Sequence, residues 1–216
     1  MRLIADLHLH SPYSRATSKE ISPLSLSLWS ALKGINIVGT GDILHPKWLG
    51  ELKESLVYKD GLFSLEDSLM AQLYPRHGIE EPPLQRFLLT GEISCIYKQE
   101  GRVRKVHHLL LFPDFEGVEG LRKRLDPIGN LQSDGRPIVG LDSYTLLSLL
   151  LESCPDAVLI PAHVWTPWFS LFGSHSGFDS VEECFRDLSP HIYALETGLS
   201  SDPPMNRLVS KLDRYQ

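Results

Sequence analysis

Short apolar runs alternate with longer stretches of helical periodicity along the whole chain. Runs at 3–10, 35–40, 87–93, 106–112, 157–162 and 192–197 read as strands. Between them lie helical segments with readable punctuation. Ser22 followed by Pro23 reads as an N-cap with proline at the first helical position, and Gly34 follows the last residue, so a helix is expected between them. Pro46 opens a second, with Trp48, Leu49, Leu52 and Leu56 on one face. The apolar stretch 144–151 is expected to be buried, and Ser180-Val181-Glu182-Glu183 matches a capping box. This strand-then-helix rhythm favours a parallel sheet or barrel over an antiparallel sandwich. Residues 56–83 are the least regular and read as an excursion, and 98–105 as a β-hairpin turning near Gly101.

Length and composition narrow the class. A chain of 216 residues with 42% hydrophobic residues suits one large α/β domain, residues 1–216. No window approaches the roughly 18 consecutive apolar residues of a membrane span, and the N-terminus runs into acidic and histidine residues, so a cytoplasmic protein is expected. The three cysteines are widely spaced without a C-x-x-C pair and are expected to be core thiols. A formal charge of −6 argues against nucleic-acid affinity through a general basic field, while leaving room for a local basic groove. Nine histidines are the feature that changes the picture most, since imidazole is the commonest transition-metal ligand.

Asp6, His8 and His10 alternate with Leu7 and Leu9, so a period of two puts three polar groups on one face of a strand. An isolated H-x-H is satisfied by ordinary packing as readily as by an ion. Other metal-type residues fall in phase near the ends of the following runs: Asp42 and His45, then Glu92, then His107 or His108, then His163. In a β/α barrel those ends converge on one mouth, where active sites are built. His77, His175 and His191 lie outside the pattern and are expected at the surface. Histidines with bridging carboxylates suit Zn²⁺ or Mn²⁺, with Mg²⁺ as an alternative, and such ions support in-line displacement at phosphorus. Phosphate-ester hydrolysis is therefore the first reaction class to test, with amide hydrolysis its chemical neighbour.

At these residues the chain resembles a known superfamily. Asp6-Leu7-His8-Leu9-His10-Ser11, Gly91-Glu92-Ile93, His107-His108-Leu109 and Ala162-His163 are similar to successive motifs of the PHP (polymerase and histidinol phosphatase) phosphoesterases. That likeness implies a distorted (β/α)7 barrel with two or three divalent metal ions. Thr40-Gly41-Asp42 departs from the Thr-Asp-His usual at the second motif. Longer strings, among them Ser11-Pro12-Tyr13-Ser14-Arg15-Ala16-Thr17, Ile93-Ser94-Cys95-Ile96-Tyr97-Lys98 and residues 161–173 and 195–204, resemble the endonuclease Q family. The resemblance implies a DNA-repair nuclease that nicks 5′ of a deaminated base, deoxyuridine or hypoxanthine, or of an abasic site. It further implies that His8 and His10 bind one metal, that Glu92 bridges to a second held by His108 and His163, and that Asp42 stands where a third ligand is expected. Glu92 and Asp42 would carry the catalysis. His107 remains an alternative to His108, because strand neighbours point opposite ways; His45, just before Pro46, reads either as a ligand or as a helix cap.

Trp165, Trp168, Phe169 and Phe172 follow His163 closely, where a displaced base would need an aromatic platform, although loop packing explains any single ring equally well. Arg15, Arg102, Arg104 and Lys105 offer a phosphate track or a solvated face. A small-molecule phosphatase of histidinol-phosphatase type and a non-catalytic remnant are the competing readings. The PHP pattern also includes a final Asp-x-His motif, expected shortly after Leu212-Asp213-Arg214-Tyr215. On that basis the barrel is expected to be incomplete and to lack its closing strand. An exposed edge would then favour association, and activity alone would be impaired.

Overall fold

The computed structural model describes residues 2–15, 17–80, 83–198 and 206–215. In chain order the elements are β1 (Ala5–Asp6), α1 (Pro23–Lys33), β2 (Ile37–Gly39), α2 (Pro46–Ser55), β3 (Leu56–Lys59), β4 (Leu62–Leu65) and α3 (Asp67–Arg76). They continue with β5 (Arg86–Gln99), β6 (Arg102–Phe112), α4 (Phe115–Leu125), β7 (Ile138–Val139), α5 (Ser143–Ser153), β8 (Val158–Pro161) and α6 (Val181–Phe185), followed by 3-10 turns at Arg186–His191 and Ser210–Tyr215. No helix among the described residues is long and apolar enough to cross a membrane. The chain forms two compact units, the first Met1–Glu92, Leu111–Glu119 and Leu131–Pro137, the second Ile93–Leu110, Gly120–Asn130 and Ile138–Gln216.

In the first unit β1 lies parallel to β2, β2 lies parallel to the first half of β5, and the β3–β4 hairpin adds antiparallel on the far side of β5. Within the excursion expected at 56–83, Leu56–Leu65 thus fold as a hairpin and Asp67–Arg76 as a helix, while 81–82 lie outside the described residues. Helix α1 starts as its sequence predicts: Ser22 accepts from the Ser25 amide, the Ser25 hydroxyl accepts from Ser22, and Pro23 occupies the first turn. Gly34 ends it in the left-handed region at φ 70°. Helix α2 buries Trp48, Leu49 and Leu52, and the Trp48 indole donates to the carbonyls of Thr40 (3.1 Å) and Gly41 (2.8 Å). That pair of bonds fixes the loop leaving β2.

Strand β1 is shorter than the expected 3–10 run. The segment beyond it, carrying His8 and His10, instead presses its backbone onto Gly39 and Gly41. A Cβ at Gly39 would overlap the Leu7 carbonyl, and one at Gly41 would sit 2.5 Å from the Leu9 carbonyl oxygen. Only glycine permits so close a backbone approach.

In the second unit the later half of β5 pairs with β7 in parallel and with β6, which in turn pairs with β8. Glu100 and Gly101, at φ 50° and 77°, make the two-residue turn of the β5–β6 hairpin. Helix α5 buries Leu146, Leu147 and Leu150 and is capped by Asp142, which accepts from the Thr145 amide at 2.6 Å. Residues 192–197 form no strand, contrary to their apolar pattern. Glu196 exchanges backbone bonds with Pro161 and Val164 across the end of β8. Cys95, Cys154 and Cys184 are buried and outside any disulfide, and burial pushes the Cys184 thiol up to about 12.

Candidate metal centre

In the first unit His8, His10 and Glu92 each offer a ligand atom, all within 4.8 Å of one another. His8 Nε2 and His10 Nε2 lie 3.7 and 3.5 Å from the same Glu92 oxygen, Oε2. Glu92 is only 1% exposed, and a buried carboxylate demands cationic or hydrogen-bonding company. Two imidazoles and a carboxylate are the donor set that suits Zn²⁺ or Mn²⁺, so the residues present fit a divalent ion.

Asp42, expected as a ligand, stands behind His10. Its Oδ1 lies 2.9 Å from His10 Nδ1, while Oδ2 accepts from the Ser11 amide (2.6 Å), the Ser11 hydroxyl (2.7 Å) and the Ser14 hydroxyl (2.8 Å). With Nδ1 facing a carboxylate, Nε2 is left to look toward Glu92; this is the orienting role of an outer-sphere carboxylate. Burial raises the Asp42 carboxyl, but the hydrogen bonds from His10 and Ser11 outweigh it and hold the group below the usual carboxylate range. Asp42 also sits at φ 45°, a strained conformation for a non-glycine residue. His45 occupies the N-cap position of α2 without a side-chain cap bond and stacks on Tyr13 at 4.2 Å, outside the metal group. Arg15 is nearly fully exposed and pairs with Asp134 at 3.4 Å.

Sequence reasoning missed Arg136, whose Nη1 donates to Glu92 Oε2 at 3.0 Å. No periodicity marks it. It follows an Asp-Gly turn, and only the chain path brings that turn to Glu92.

In the second unit the register of β6 settles which histidine faces which way. His107 Nδ1 lies 3.3 Å from His163 Nε2, and the His107 ring packs on Phe169 at 4.8 Å. His108, the residue expected to bind metal, points to the opposite side, with Nε2 2.8 Å from the Ser143 hydroxyl and its ring edge-on to Phe185. Adjacent strand residues alternate faces, so only one of the pair can join His163. Accordingly His107→Ala is expected to lower bound metal. His108→Ala, which empties a fully buried site, is expected to cost about 2–4 kcal/mol of stability with metal retained. Metal stoichiometry and urea melts on the two variants check this, and metal loss confined to His108→Ala would refute it.

His163 itself is strained at φ 33°, and its amide donates to Glu196 Oε2 at 2.6 Å. The following aromatics divide. Trp165 donates its indole N–H to Asn206 at 2.6 Å and, with Phe172, lines a cavity of about 230 Å³. Trp168 is 49% exposed, stacked on His175 at 4.3 Å, with the Lys105 ammonium 5.3 Å above its ring. Arg104, expected on a phosphate track, is buried: it pairs with Glu183 at 3.1 Å, donates to the Gly177 carbonyl and covers the Phe178 ring. Strand alternation turned it inward, where Glu183 neutralises it. His77, His175 and His191 are at the surface, as expected.

No protein-family model matches the sequence. Over 97% of its length the chain superimposes on the lesion-specific endonuclease PfuEndoQ of Pyrococcus furiosus, with a TM-score of 0.77 and 32% identity. The fold resembles part of endonuclease Q. An endonuclease Q structure in complex with a 27-mer duplex carrying an abasic lesion at its active site gives a TM-score of 0.76, again at 32% identity, over 96% of this chain. This chain spans 45% of the length of each endonuclease Q chain. Its mixed α/β fold agrees with the α/β class expected from sequence. A metal-dependent phosphoesterase structure from Bifidobacterium adolescentis shares the fold at 15% identity and a TM-score of 0.57, over 99% of this chain and 84% of that one. The uncharacterized protein MJ0043 of Methanocaldococcus jannaschii is 31% identical over 163 residues, 75% of this chain and 16% of that protein.

Proposed function

We propose that this chain carries the catalytic chemistry of a metal-dependent phosphodiesterase that acts on DNA bearing a deaminated base or an abasic site. The observation that carries the reading is the His8, His10 and Glu92 group, set in a fold 32% identical to a lesion-specific endonuclease. In this proposal His8, His10 and Glu92 in the first unit, and His107 and His163 in the second, are the metal ligands. A divalent ion held by such residues neutralises charge developing at phosphorus and makes water a competent nucleophile near neutral pH.

The chain's own residues do the rest. Asp42 holds the His10 ring so that Nε2 faces Glu92. Ser11 and Ser14 in turn hold Asp42. Exposed Arg15 would meet a backbone phosphate, positioning DNA without reading its sequence. Trp168, half exposed, with His175 stacked on it and the Lys105 ammonium over its ring, would give an unpaired base an aromatic and cationic surface. For Trp168→Ala, binding to deoxyuridine or abasic DNA is expected to weaken by about 1–3 kcal/mol, with a smaller loss on intact duplex. Fluorescence anisotropy on the two DNAs measures the difference, and equal losses would make the ring a loop support only.

The direct test is incubation with Mn²⁺ or Zn²⁺ and, in parallel, deoxyuridine duplex, abasic duplex, undamaged duplex and a panel of phosphomonoesters. Any metal-dependent nicking is expected to be confined to the lesion duplexes. Turnover of phosphomonoesters without nicking would favour the small-molecule phosphatase reading instead.

A further inference from the structure

The Arg136 guanidinium touches the metal-type cluster of the first unit, and its placement is built. Its Nη1 donates to Glu92 Oε2 at 3.0 Å, the oxygen that also faces His8 and His10. The turn that delivers it is anchored from beneath. The Gly135 amide donates to the Tyr13 carbonyl at 3.1 Å, and the Arg136 amide donates to Asp134 Oδ1 at 3.1 Å. Asp134 is tied in turn to Arg15. Gly135 lies so close to Asp42 Oδ2 and the Ser14 hydroxyl that a Cβ would overlap both. The same Asp42 that orients His10 therefore seats the turn that carries Arg136. Yet the side chain of Arg136 is 40% exposed, so its guanidinium borders solvent while Glu92 does not.

A guanidinium has five donors in a fixed fork, and one bond to one carboxylate oxygen leaves most of them unused. A divalent ion and an arginine compete for the same Glu92 charge. When Glu92 serves an ion, Arg136 keeps its anchored backbone and its cluster-side position but loses its claim on that oxygen. We infer that Arg136 is then a phosphate receptor: its guanidinium takes a non-bridging oxygen of the phosphodiester at the metal centre, and turn Asp134–Gly135–Arg136 exists to hold it there. The inference deepens the phosphodiesterase reading of the same site and rests on it. Its chemistry is electrostatic, as planar charge-assisted bonds to phosphate are shorter and stronger than neutral ones.

The test uses Mn²⁺-loaded protein and inorganic phosphate as the probe. Calorimetric titration of wild type, Arg136→Gln and Arg136→Lys is combined with metal content by mass spectrometry and a thermal melt of each. Arg136→Gln is expected to bind phosphate about tenfold to a hundredfold more weakly, the loss that follows removal of a charge-assisted hydrogen bond, with metal content unchanged. Arg136→Lys, which restores the charge without the fork, is expected to recover part of that loss. Equal phosphate affinity in wild type and Arg136→Gln overturns the inference, as does no phosphate binding by wild type. Loss of metal in Arg136→Gln also overturns it, since Arg136 would then merely support Glu92. If Arg136→Gln fails to fold, Arg136→Lys decides the matter, wild-type affinity counting against the fork. Arg136-dependent phosphate binding without metal-dependent cleavage of any phosphoester would sink the phosphodiesterase reading but leave the anion site standing.

Discussion

Glu92→Ala is expected to strip the metal centre of the first unit and to abolish metal-dependent hydrolysis, while the fold persists. Glu92 Oε2 is the shared partner of His8, His10 and Arg136, so its removal deletes the only carboxylate of that ligand group. Loss of an outer-sphere partner lowers metal affinity by about 10–100-fold, and loss of the ligand itself should exceed that. The truncation also leaves the Arg136 guanidinium beside the site without its carboxylate partner, which further disfavours a cation. The fold survives because β5 is held by its ladder to β2 and by the packing of Phe87 and Leu89, none of which involves the carboxylate. Metal content by mass spectrometry, beside thermal melts of Glu92→Ala and Glu92→Gln, measures both halves. Wild-type metal content in folded Glu92→Ala would refute the ligand assignment.

The parts of this site legible in sequence are those that depend on local period. His8 and His10 share a face because two residues separate them, whatever the rest of the chain does. Glu92 was identifiable because it lies within an apolar run whose neighbours carry similar residues at matching places. The choice between His107 and His108 was not legible. It depends on the face that β6 turns toward β8, and a one-residue change of register exchanges the two. Arg104 misled for the same reason, since its sequence neighbours Arg102 and Lys105 are charged and it alone is drawn inward to Glu183. The run at 192–197 has strand composition, yet Glu196 uses its backbone on Pro161 and Val164 and its carboxylate on the His163 amide. Arg136 and Gly135 carried no periodic signal at all. Their roles come from a chain crossing, and a crossing is a property of tertiary structure.

The Thr40-Gly41-Asp42 departure from the usual second PHP motif has a steric account, and it leads to the second large effect. Gly41 sits at φ 65°, where a β-carbon costs about 1–2 kcal/mol in backbone energy alone. Its Cβ would also meet the Leu9 carbonyl oxygen at 2.5 Å and the His10 Cα at 3.1 Å, both backbone atoms that no rotamer change can move aside. Gly41→Ala must therefore push the 7–10 segment off β2, or twist the loop that Trp48 pins through its bonds to Thr40 and Gly41. Adding overpacking to the backbone term gives a destabilisation of about 3 kcal/mol, a fall in Tm of roughly 6–12 °C for a domain of this size. The segment displaced is the one that carries His8 and His10, and Asp42 is the next residue along. Metal affinity should accordingly fall even in the fraction that remains folded, which separates this variant from a distant core mutation of equal cost such as Leu146→Ala. Thermal melts with and without Mn²⁺ report the distinction: Leu146→Ala should keep the metal-induced rise in Tm, and Gly41→Ala should lose it. A Gly41→Ala protein with wild-type Tm and the full metal-induced rise would show that the backbone approach of Leu9 to Gly41 does not hold the histidines in place.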